Sequence, residues 1–184
     1  MDDASLMRVM AGRRIARIAF DADAIRARVC ELGREIGGHY PDGELLVLGL
    51  LKGSFIFLAD LVREIPRPLH VDFLVASSYG DAKASSGIVT LLYDPQTRLE
   101  GKHILLVEDI IDSGRTLNRM LGLLRARRPN SLELCALLDK NIATHLDTKP
   151  RFKGFDAPHE FLVGYGLDHA EDFRHLPFVA SLAD

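Results

Sequence analysis

The 184-residue sequence contains little cysteine, no excess of basic charge and no long apolar run. Its two cysteines, Cys30 and Cys135, belong to no CxxC or cysteine–histidine cluster, which excludes the usual zinc and redox motifs. A formal net charge of −3 gives no general attraction to nucleic acid or to an anionic membrane. The longest apolar run, Leu45 to Leu51, is far shorter than the roughly 20 residues that a membrane-spanning helix needs. These absences and the chain length predict one globular domain over residues 1–184.

Signatures of several other protein classes are also missing. His159-Glu160 lacks the second histidine of an HExxH metalloprotease pair. Neither GxxxxGK[ST] nor GxGxxG occurs, so ATPase and dinucleotide-binding functions lose their usual support. The segment Met1 to Ser5 carries two aspartates and no basic residue, and it is not followed by the apolar core of a signal peptide. We therefore expect a cytoplasmic protein.

Hydrophobic periodicity predicts helices that alternate with strands. Apolar residues recur at helical spacing from Ala22 to His39, and Asp21 or Asp23 could cap this helix. Further helices are predicted at 54–65 and 114–127, and strands at 44–51, 69–77, 88–93, 102–107, 132–138 and 161–165. The polar, glycine-containing stretch 78–87 is a candidate mobile loop. The pattern predicts a three-layer α/β fold, with a mainly parallel central sheet and helices on both faces.

A segment from Val107 to Leu117, VEDIIDSGRTL, lies where an apolar strand is predicted to end and an amphipathic helix to begin. Ligands of open α/β sheets bind at such positions. A phosphate group is well bound by small residues, hydroxyl groups and the N–H groups of a helix N-terminus. These features are supplied here by Ser113, Gly114, Arg115 and Thr116. The segment is therefore a candidate phosphate cradle.

Three carboxylates, those of Glu108, Asp109 and Asp112, come just before this cradle. Because they would repel a phosphate, a cation must mediate. The two adjacent acids could hold ribose hydroxyls directly or through Mg²⁺, while Asp112 faces the reacting centre. Acids alone are equally typical of an ordinary helix N-terminus, where the helix dipole favours them.

Read as a whole, VEDIIDSGRTL resembles the phosphoribosyl pyrophosphate signature of type I phosphoribosyltransferases, in the form of their hypoxanthine-guanine branch. Three other segments resemble parts of the same family. They are the pyrophosphate loop at Leu51 to Ser54, the start of the flexible active-site loop at Ser78 to Gly80, and the base-binding strand and turn at Glu160 to Asp168. Each is weak by itself, but all four occur in family order and spacing.

The resemblance implies roles for individual residues. Asp112 is the expected general base near purine N7, and Lys140 is expected to contact the exocyclic oxygen at C6 and so favour 6-oxopurines. Phe161 would stack on the purine and Leu162 would offer backbone groups to its edge. The remaining substrate contacts are expected from Lys52, Gly53, Ser78, Tyr79, Glu108, Asp109, Ser113, Gly114, Arg115, Thr116 and Arg174, and the family's Leu51–Lys52 peptide is frequently cis.

The resemblance also implies a cofactor, a reaction and an assembly. Mg²⁺ is expected at Glu108, Asp109 and Asp168, bound together with pyrophosphate. The implied reaction is purine salvage, in which hypoxanthine or guanine receives the 5-phosphoribosyl group of phosphoribosyl pyrophosphate. We also expect a small hood, formed by the N-terminal segment and the region after about residue 144. The expected assembly is a homodimer or homotetramer.

Two alternatives stay open from the sequence. One is a regulator with the same fold that binds nucleic acid, although the most basic stretch, Arg125 to Arg128, is short and suits a helix C-terminus. The other is the same reaction with xanthine, adenine or a pyrimidine. The sequence does not separate hypoxanthine from guanine preference, because that depends on the surroundings of purine C2.

Overall fold

The computed structural model describes residues 14–78, 89–143 and 146–183. The helices in these ranges are α1 (Ala22–His39), α2 (Phe55–Glu64) and α3 (Arg115–Arg125). The strands are β1 (Ile15–Phe20), β2 (Leu45–Leu51), β3 (His70–Ser78), β4 (Val89–Tyr93), β5 (His103–Ile111), β6 (Ser131–Asp139), β7 (Phe152–Asp156), β8 (Leu162–Val163) and β9 (Val179–Leu182). None of the helices in the described ranges combines the length and apolar character needed to cross a membrane.

In the described part of the chain, six strands form the main sheet, in the order β4-β3-β2-β5-β6-β7. Neighbouring strands are parallel except β3 and β4, which are antiparallel. The mainly parallel sheet expected from the sequence is therefore confirmed. Its central strands β2, β5 and β6 are apolar on both faces, as buried parallel strands are.

Helices cover both faces of the main sheet. Val47 and Leu105 pack into the apolar core with α1 and α2, whereas the alternate residues Leu48 and Leu106 pack with α3 on the other face. The three-layer arrangement follows from this alternation. Asp21 is the residue that caps α1, since its Oδ1 accepts a hydrogen bond from the Ala24 amide at 2.8 Å.

A second, antiparallel sheet has the order β1-β9-β8 and joins the two ends of the chain. Its core includes Ile15, Val163, Phe173 and Phe178. β7 also comes from the region after residue 144, but it pairs with β6 in the main sheet. That region is therefore shared between the two sheets.

Two strand boundaries differ from the sequence predictions. β5 continues four residues past the predicted end, because Glu108, Ile110 and Ile111 still pair with β6. The predicted strand 161–165 shrinks to β8, because Gly164 and Tyr165 have positive φ values of 96° and 50° and turn the chain. Glu108 and Asp109 consequently lie in a strand.

Candidate active site

The ends of three neighbouring parallel strands bring the predicted general base and two predicted substrate-binding residues together. β2, β5 and β6 are adjacent, and Lys52, Asp112 and Lys140 directly follow their last residues. Because the carboxyl ends of parallel strands share one edge of a sheet, the three side chains start from the same edge. Lys140 is held close to β5, since its amide donates a hydrogen bond to the Ile111 carbonyl at 3.0 Å.

Asp112 and Lys140 are in direct contact at this edge. The Lys140 ammonium donates a hydrogen bond to Asp112 Oδ2 at 3.1 Å. The Lys140 side chain is only 12% exposed, whereas that of Asp112 is 57% exposed. The carboxylate therefore faces open space while its partner is held beneath it, as a general base with a fixed orientation would require.

The phosphate cradle predicted at residues 113–116 lies at the start of α3. Gly114 precedes the helix with a φ of 75°, and it has no side chain that could cap the first amides. A cavity of about 170 Å³ opens here and is lined by Glu108, Ile110 and residues 111–117. Uncapped N–H groups at a helix N-terminus attract an anion, so this cavity suits a phosphate group.

Glu108 stands at the wall of the cavity with a carboxyl group removed from water. Its Oε2 atom is buried and has no hydrogen-bond partner among the described residues. Burial, and next the neighbouring Asp109 carboxylate, raise the pKa of Glu108 well above its usual value. A buried acceptor without a donor is costly, so a hydroxyl group or a cation from a ligand would satisfy it.

Asp109 lies against the pyrophosphate loop. Its Oδ1 accepts a hydrogen bond from the Ile110 amide at 2.8 Å, and its Oδ2 approaches Gly53 so closely that residue 53 has no room for a Cβ. Burial raises the pKa of Asp109 to about 6, although backbone hydrogen bonds and the charge of Arg174 oppose the rise. Any other residue at position 53 would therefore displace this carboxylate.

The pyrophosphate loop and the turn after β8 contribute charged side chains to a single network. The Leu51–Lys52 peptide is cis, and the Lys52 ammonium contacts Glu171 Oε1 at 3.0 Å. Arg174 contacts Asp168 at 2.9 Å and Glu171 at 3.2 Å, and it donates to the Gly166 carbonyl at 2.9 Å. Lys52 and Arg174, the two cations predicted to face pyrophosphate, thus both form ion pairs with acidic side chains.

The base-binding residues lie at the edge of the second sheet. Phe161 is 56% exposed, which is unusual for so large an apolar side chain, and its ring stands perpendicular to that of His169 with centroids 5.4 Å apart. Leu162 is buried and pairs with Ser181 in β9. An exposed aromatic face next to polar backbone is suited to stacking on a planar base.

The phosphoribosyl transferase domain family matches residues 20–170, which is most of the chain. The chain belongs to the phosphoribosyltransferase family. It is 48% identical over 160 residues to the hypoxanthine phosphoribosyltransferase of Salmonella typhimurium, covering 86% of this chain and 90% of that relative. It is also 44% identical over 171 residues to the hypoxanthine-guanine phosphoribosyltransferase of Dictyostelium discoideum, covering 91% and 95% of the two chains.

Solved structures agree with this assignment. A crystal structure of a hypoxanthine phosphoribosyltransferase from Staphylococcus aureus superimposes with a TM-score of 0.88 at 36% sequence identity, and the match covers 92% of each chain. The type I phosphoribosyltransferase fold expected from the sequence is therefore confirmed.

Part of the predicted phosphoribosyltransferase site lies outside the described residues. This applies to Tyr79 and to the candidate loop from residue 79 onwards. Ser78 is the last residue of β3, where only its backbone is described. Their predicted contacts with substrate remain predictions.

The predicted magnesium ligands of this phosphoribosyltransferase fit a site that the substrate completes. Within the described ranges, no group of three or more histidine, cysteine, aspartate or glutamate residues is arranged to hold a metal ion. Glu108 nevertheless offers an unpartnered buried oxygen, and Asp168 lies near enough to add to the raised pKa of Asp109. Mg²⁺ commonly takes only one or two carboxylates together with phosphate oxygens and water.

Glu171 is a charged residue of the site that the sequence analysis missed. Its carboxylate contacts both Lys52 and Arg174, and its amide donates a hydrogen bond to Asp168 Oδ2 at 2.9 Å. The only available signal was its place three residues before Arg174 in a run of charged residues. Its contact with Lys52, 119 positions away, arises from the fold alone.

Proposed function

We propose that this phosphoribosyltransferase transfers the 5-phosphoribosyl group of phosphoribosyl pyrophosphate to N9 of hypoxanthine and/or guanine, with release of pyrophosphate. The observation that carries the proposal is the Asp112–Lys140 pair beside the cavity at the start of α3. One site then offers a phosphate cradle, an exposed carboxylate and a lysine donor. The names of the relatives support the same bases.

Two side chains would determine which purine base the site accepts and how that base is activated. The Lys140 ammonium is a pure donor, so it pairs with the exocyclic oxygen of a 6-oxopurine and leaves the amino group of adenine facing another donor. Asp112 would accept the proton from purine N7 as N9 bonds to the sugar carbon. Phe161 would stack on the ring, while Leu162 would meet the base edge through its backbone.

Charge at the leaving group has to be stabilised as the bond to the sugar breaks. Lys52, Arg174 and the backbone amides of the pyrophosphate loop would bind the departing oxygens. Glu108, Asp109 and Asp168 would hold Mg²⁺ through their oxygens, either directly or through ordered water. When bound, Mg²⁺ supplies positive charge that offsets the charge developing on pyrophosphate.

The 5-phosphate of the substrate would be held at the start of α3. Ser113 and Thr116 offer hydroxyl groups, and the first amides of the helix are not capped by Gly114. The helix dipole adds to this attraction. The buried oxygen of Glu108 is placed in the same cavity wall, where a ribose hydroxyl would donate to it.

Nucleotide formation tests this function directly. The purified protein would be given Mg²⁺ and phosphoribosyl pyrophosphate with hypoxanthine, guanine, xanthine or adenine in parallel, and products would be separated by chromatography. IMP or GMP should form and should require phosphoribosyl pyrophosphate. Adenine as the best substrate would contradict the role of Lys140. No product from any base, with phosphoribosyl pyrophosphate still bound, would favour a regulator.

We also propose a homo-oligomer. Phe55, Val71 and Phe73 are large apolar residues that are each about 40% exposed, and Phe73 borders Gly49 on the sheet face that carries α2. Val71 and Phe73 are two positions apart on β3 and so point to the same face of the sheet, and exposed apolar side chains that share a face are typical of protein interfaces. Light scattering should give at least twice the mass of one chain, and the mass of a monomer would contradict the proposal. The cytoplasmic location remains a prediction from the sequence.

A further inference from the structure

The Glu171 carboxylate bridges the two cations that the proposed function assigns to pyrophosphate. Glu171 Oε1 contacts the Lys52 ammonium at 3.0 Å, and Oε2 contacts Arg174 Nη2 at 3.2 Å. Each oxygen of one anionic group therefore takes one cation. Two oxygens of a bound phosphate group would engage the same two cations in the same way.

The position of Glu171 is fixed by the backbone around it. Its amide donates to Asp168 Oδ2 at 2.9 Å, and its φ of 69° follows a φ of 52° at Ala170. Arg174 is anchored separately, since it contacts Asp168 at 2.9 Å and donates to the Gly166 carbonyl at 2.9 Å. The turn that carries Glu171 and Arg174 is therefore held by its own hydrogen bonds and ion pairs, and this turn brings Glu171 to both cations.

The ion pairs of Glu171 with Lys52 and Arg174 can be replaced by contacts with another anion. The Glu171 side chain accepts hydrogen bonds from the Lys52 ammonium at 3.0 Å and from the Arg174 guanidinium at 3.2 Å, which is the pairing of a carboxylate with two cations. Lys52 and Glu171 are each 66% exposed, and ion pairs at such sites are weak because water screens them. The buried Nε atom of Arg174 has no hydrogen-bond partner within ranges 14–78, 89–143 and 146–183, which leaves a donor for an incoming oxygen.

We propose that Glu171 is an internal competitor of pyrophosphate, which occupies Lys52 and Arg174 in the free protein and is displaced when the pyrophosphate group binds. Glu171 thereby weakens the affinity for pyrophosphate and hastens its release after the reaction. The inference rests on the proposed function for the identity of the anion. It assigns the regulation of product affinity to a residue that does not itself contact the reacting atoms.

Binding of inorganic pyrophosphate in the presence of Mg²⁺ tests the inference, with titration calorimetry as the readout. Glu171→Gln keeps the size of the side chain and removes its charge, and Glu171→Ala removes both. Glu35→Gln is the matched control, because Glu35 is another exposed glutamate that pairs with an arginine, Arg28, on α1 away from the site. The Glu35→Gln substitution removes one negative charge, as Glu171→Gln does.

Removing the ion pairs of Glu171 with Lys52 and Arg174 should tighten pyrophosphate binding about fivefold in both Glu171 variants and leave the Glu35→Gln variant unchanged. Unchanged or weaker binding in the Glu171 variants would overturn the inference, since Glu171 would then only orient the two cations. Absence of pyrophosphate binding by all four proteins would overturn it as well. Nucleotide formation is measured separately, so a protein that forms no nucleotide can still support the inference, and an active protein can still refute it.

Discussion

The Lys140 ammonium donates a hydrogen bond to Asp112 Oδ2 at 3.1 Å, across the shared edge of β5 and β6. The pair lies 28 positions apart in the sequence and meets because parallel strands end together. One partner would handle the proton at N7 and the other the oxygen at C6 of a 6-oxopurine. Under the proposed function, a single contact would therefore link base selectivity to base activation.

Asp112→Asn should lower turnover about 100-fold or more, because the amide does not accept the N7 proton. The Oδ1 and Nδ2 atoms of asparagine occupy the same space as the two carboxylate oxygens, so affinity for the nucleotide product should change little. Steady-state kinetics and nucleotide titration would separate the two effects. Unchanged turnover would remove the role of general base from Asp112.

Lys140→Ala should reduce the preference for 6-oxopurines over adenine, because it removes the donor that favours an oxygen at C6. We expect kcat/KM for hypoxanthine to fall about tenfold or more, with little loss for adenine. Lys153→Ala is a suitable control, because Lys153 pairs with Asp156 on the neighbouring strand β7. An unaltered hypoxanthine-to-adenine ratio would refute the assignment.

Phe161→Ala should raise KM for the base about tenfold while leaving KM for phosphoribosyl pyrophosphate unchanged, because the stacking surface is lost. The side chain is 56% exposed, so the melting temperature should hardly move. Phe57→Ala provides the contrast, since Phe57 is fully buried and its truncation should cost about 3–5 kcal/mol of stability. Equal changes in both KM values would argue against stacking.

Asp72 should make stability depend on acid pH. Burial raises the pKa of this carboxyl, but hydrogen bonds from the Phe73 amide and from Thr97 outweigh it and hold the pKa below its usual value of 3.8. A lowered folded-state pKa stabilises the fold above the unfolded-state value and loses that effect as pH falls through the folded-state value.

Asp72→Asn should therefore cost about 1–2 kcal/mol of unfolding free energy between pH 5 and pH 8, and the difference from the parent should shrink below about pH 4. Urea denaturation across this range measures it. Asp94→Asn removes a carboxylate from an exposed pair with Arg127 and should have little effect. A cost that persists undiminished at pH 3 would show that ionisation of Asp72 is not involved.

Much of the fold was predictable because burial leaves a direct mark on the sequence. The bounds of α1 were predicted correctly, since one apolar face repeats at helical spacing over its whole length. β2 and β6 were recognisable because strands buried on both faces form continuous apolar runs. The structure adds that β2, β5 and β6 are neighbours, so that Lys52, Asp112 and Lys140 follow strands that end at one edge.

The features that sequence reasoning missed depend on pairing between distant segments. β1 pairs with β9 from the opposite end of the chain, and neither strand is long enough to give a clear pattern. The role of Glu171 arises from a turn with positive φ at Ala170 and Glu171, a conformation for which hydrophobic periodicity gives no signal. The close packing of Gly53 against Asp109 is likewise a property of a loop and a strand that meet only in the folded chain.

Gly166→Ala should disturb the pyrophosphate loop from the opposite side of the site. Residue 166 has a φ of 101°, and a Cβ there would collide with the carbonyl oxygen of Gly53. A backbone atom has little freedom to move aside, so Gly53 and the adjacent Lys52 should shift. We expect KM for phosphoribosyl pyrophosphate to rise about tenfold or more, because small displacements of binding groups have large effects on the reaction.

Gly101→Ala separates the collision from the backbone strain, because Gly101 has a φ of 75° and an added Cβ there would meet nothing within 4 Å. Both variants should lose about 1 kcal/mol of stability from the left-handed conformation. Only Gly166→Ala should also raise KM for phosphoribosyl pyrophosphate. Equal KM values in the two variants would mean that the contact between Gly166 and Gly53 does not position the pyrophosphate loop.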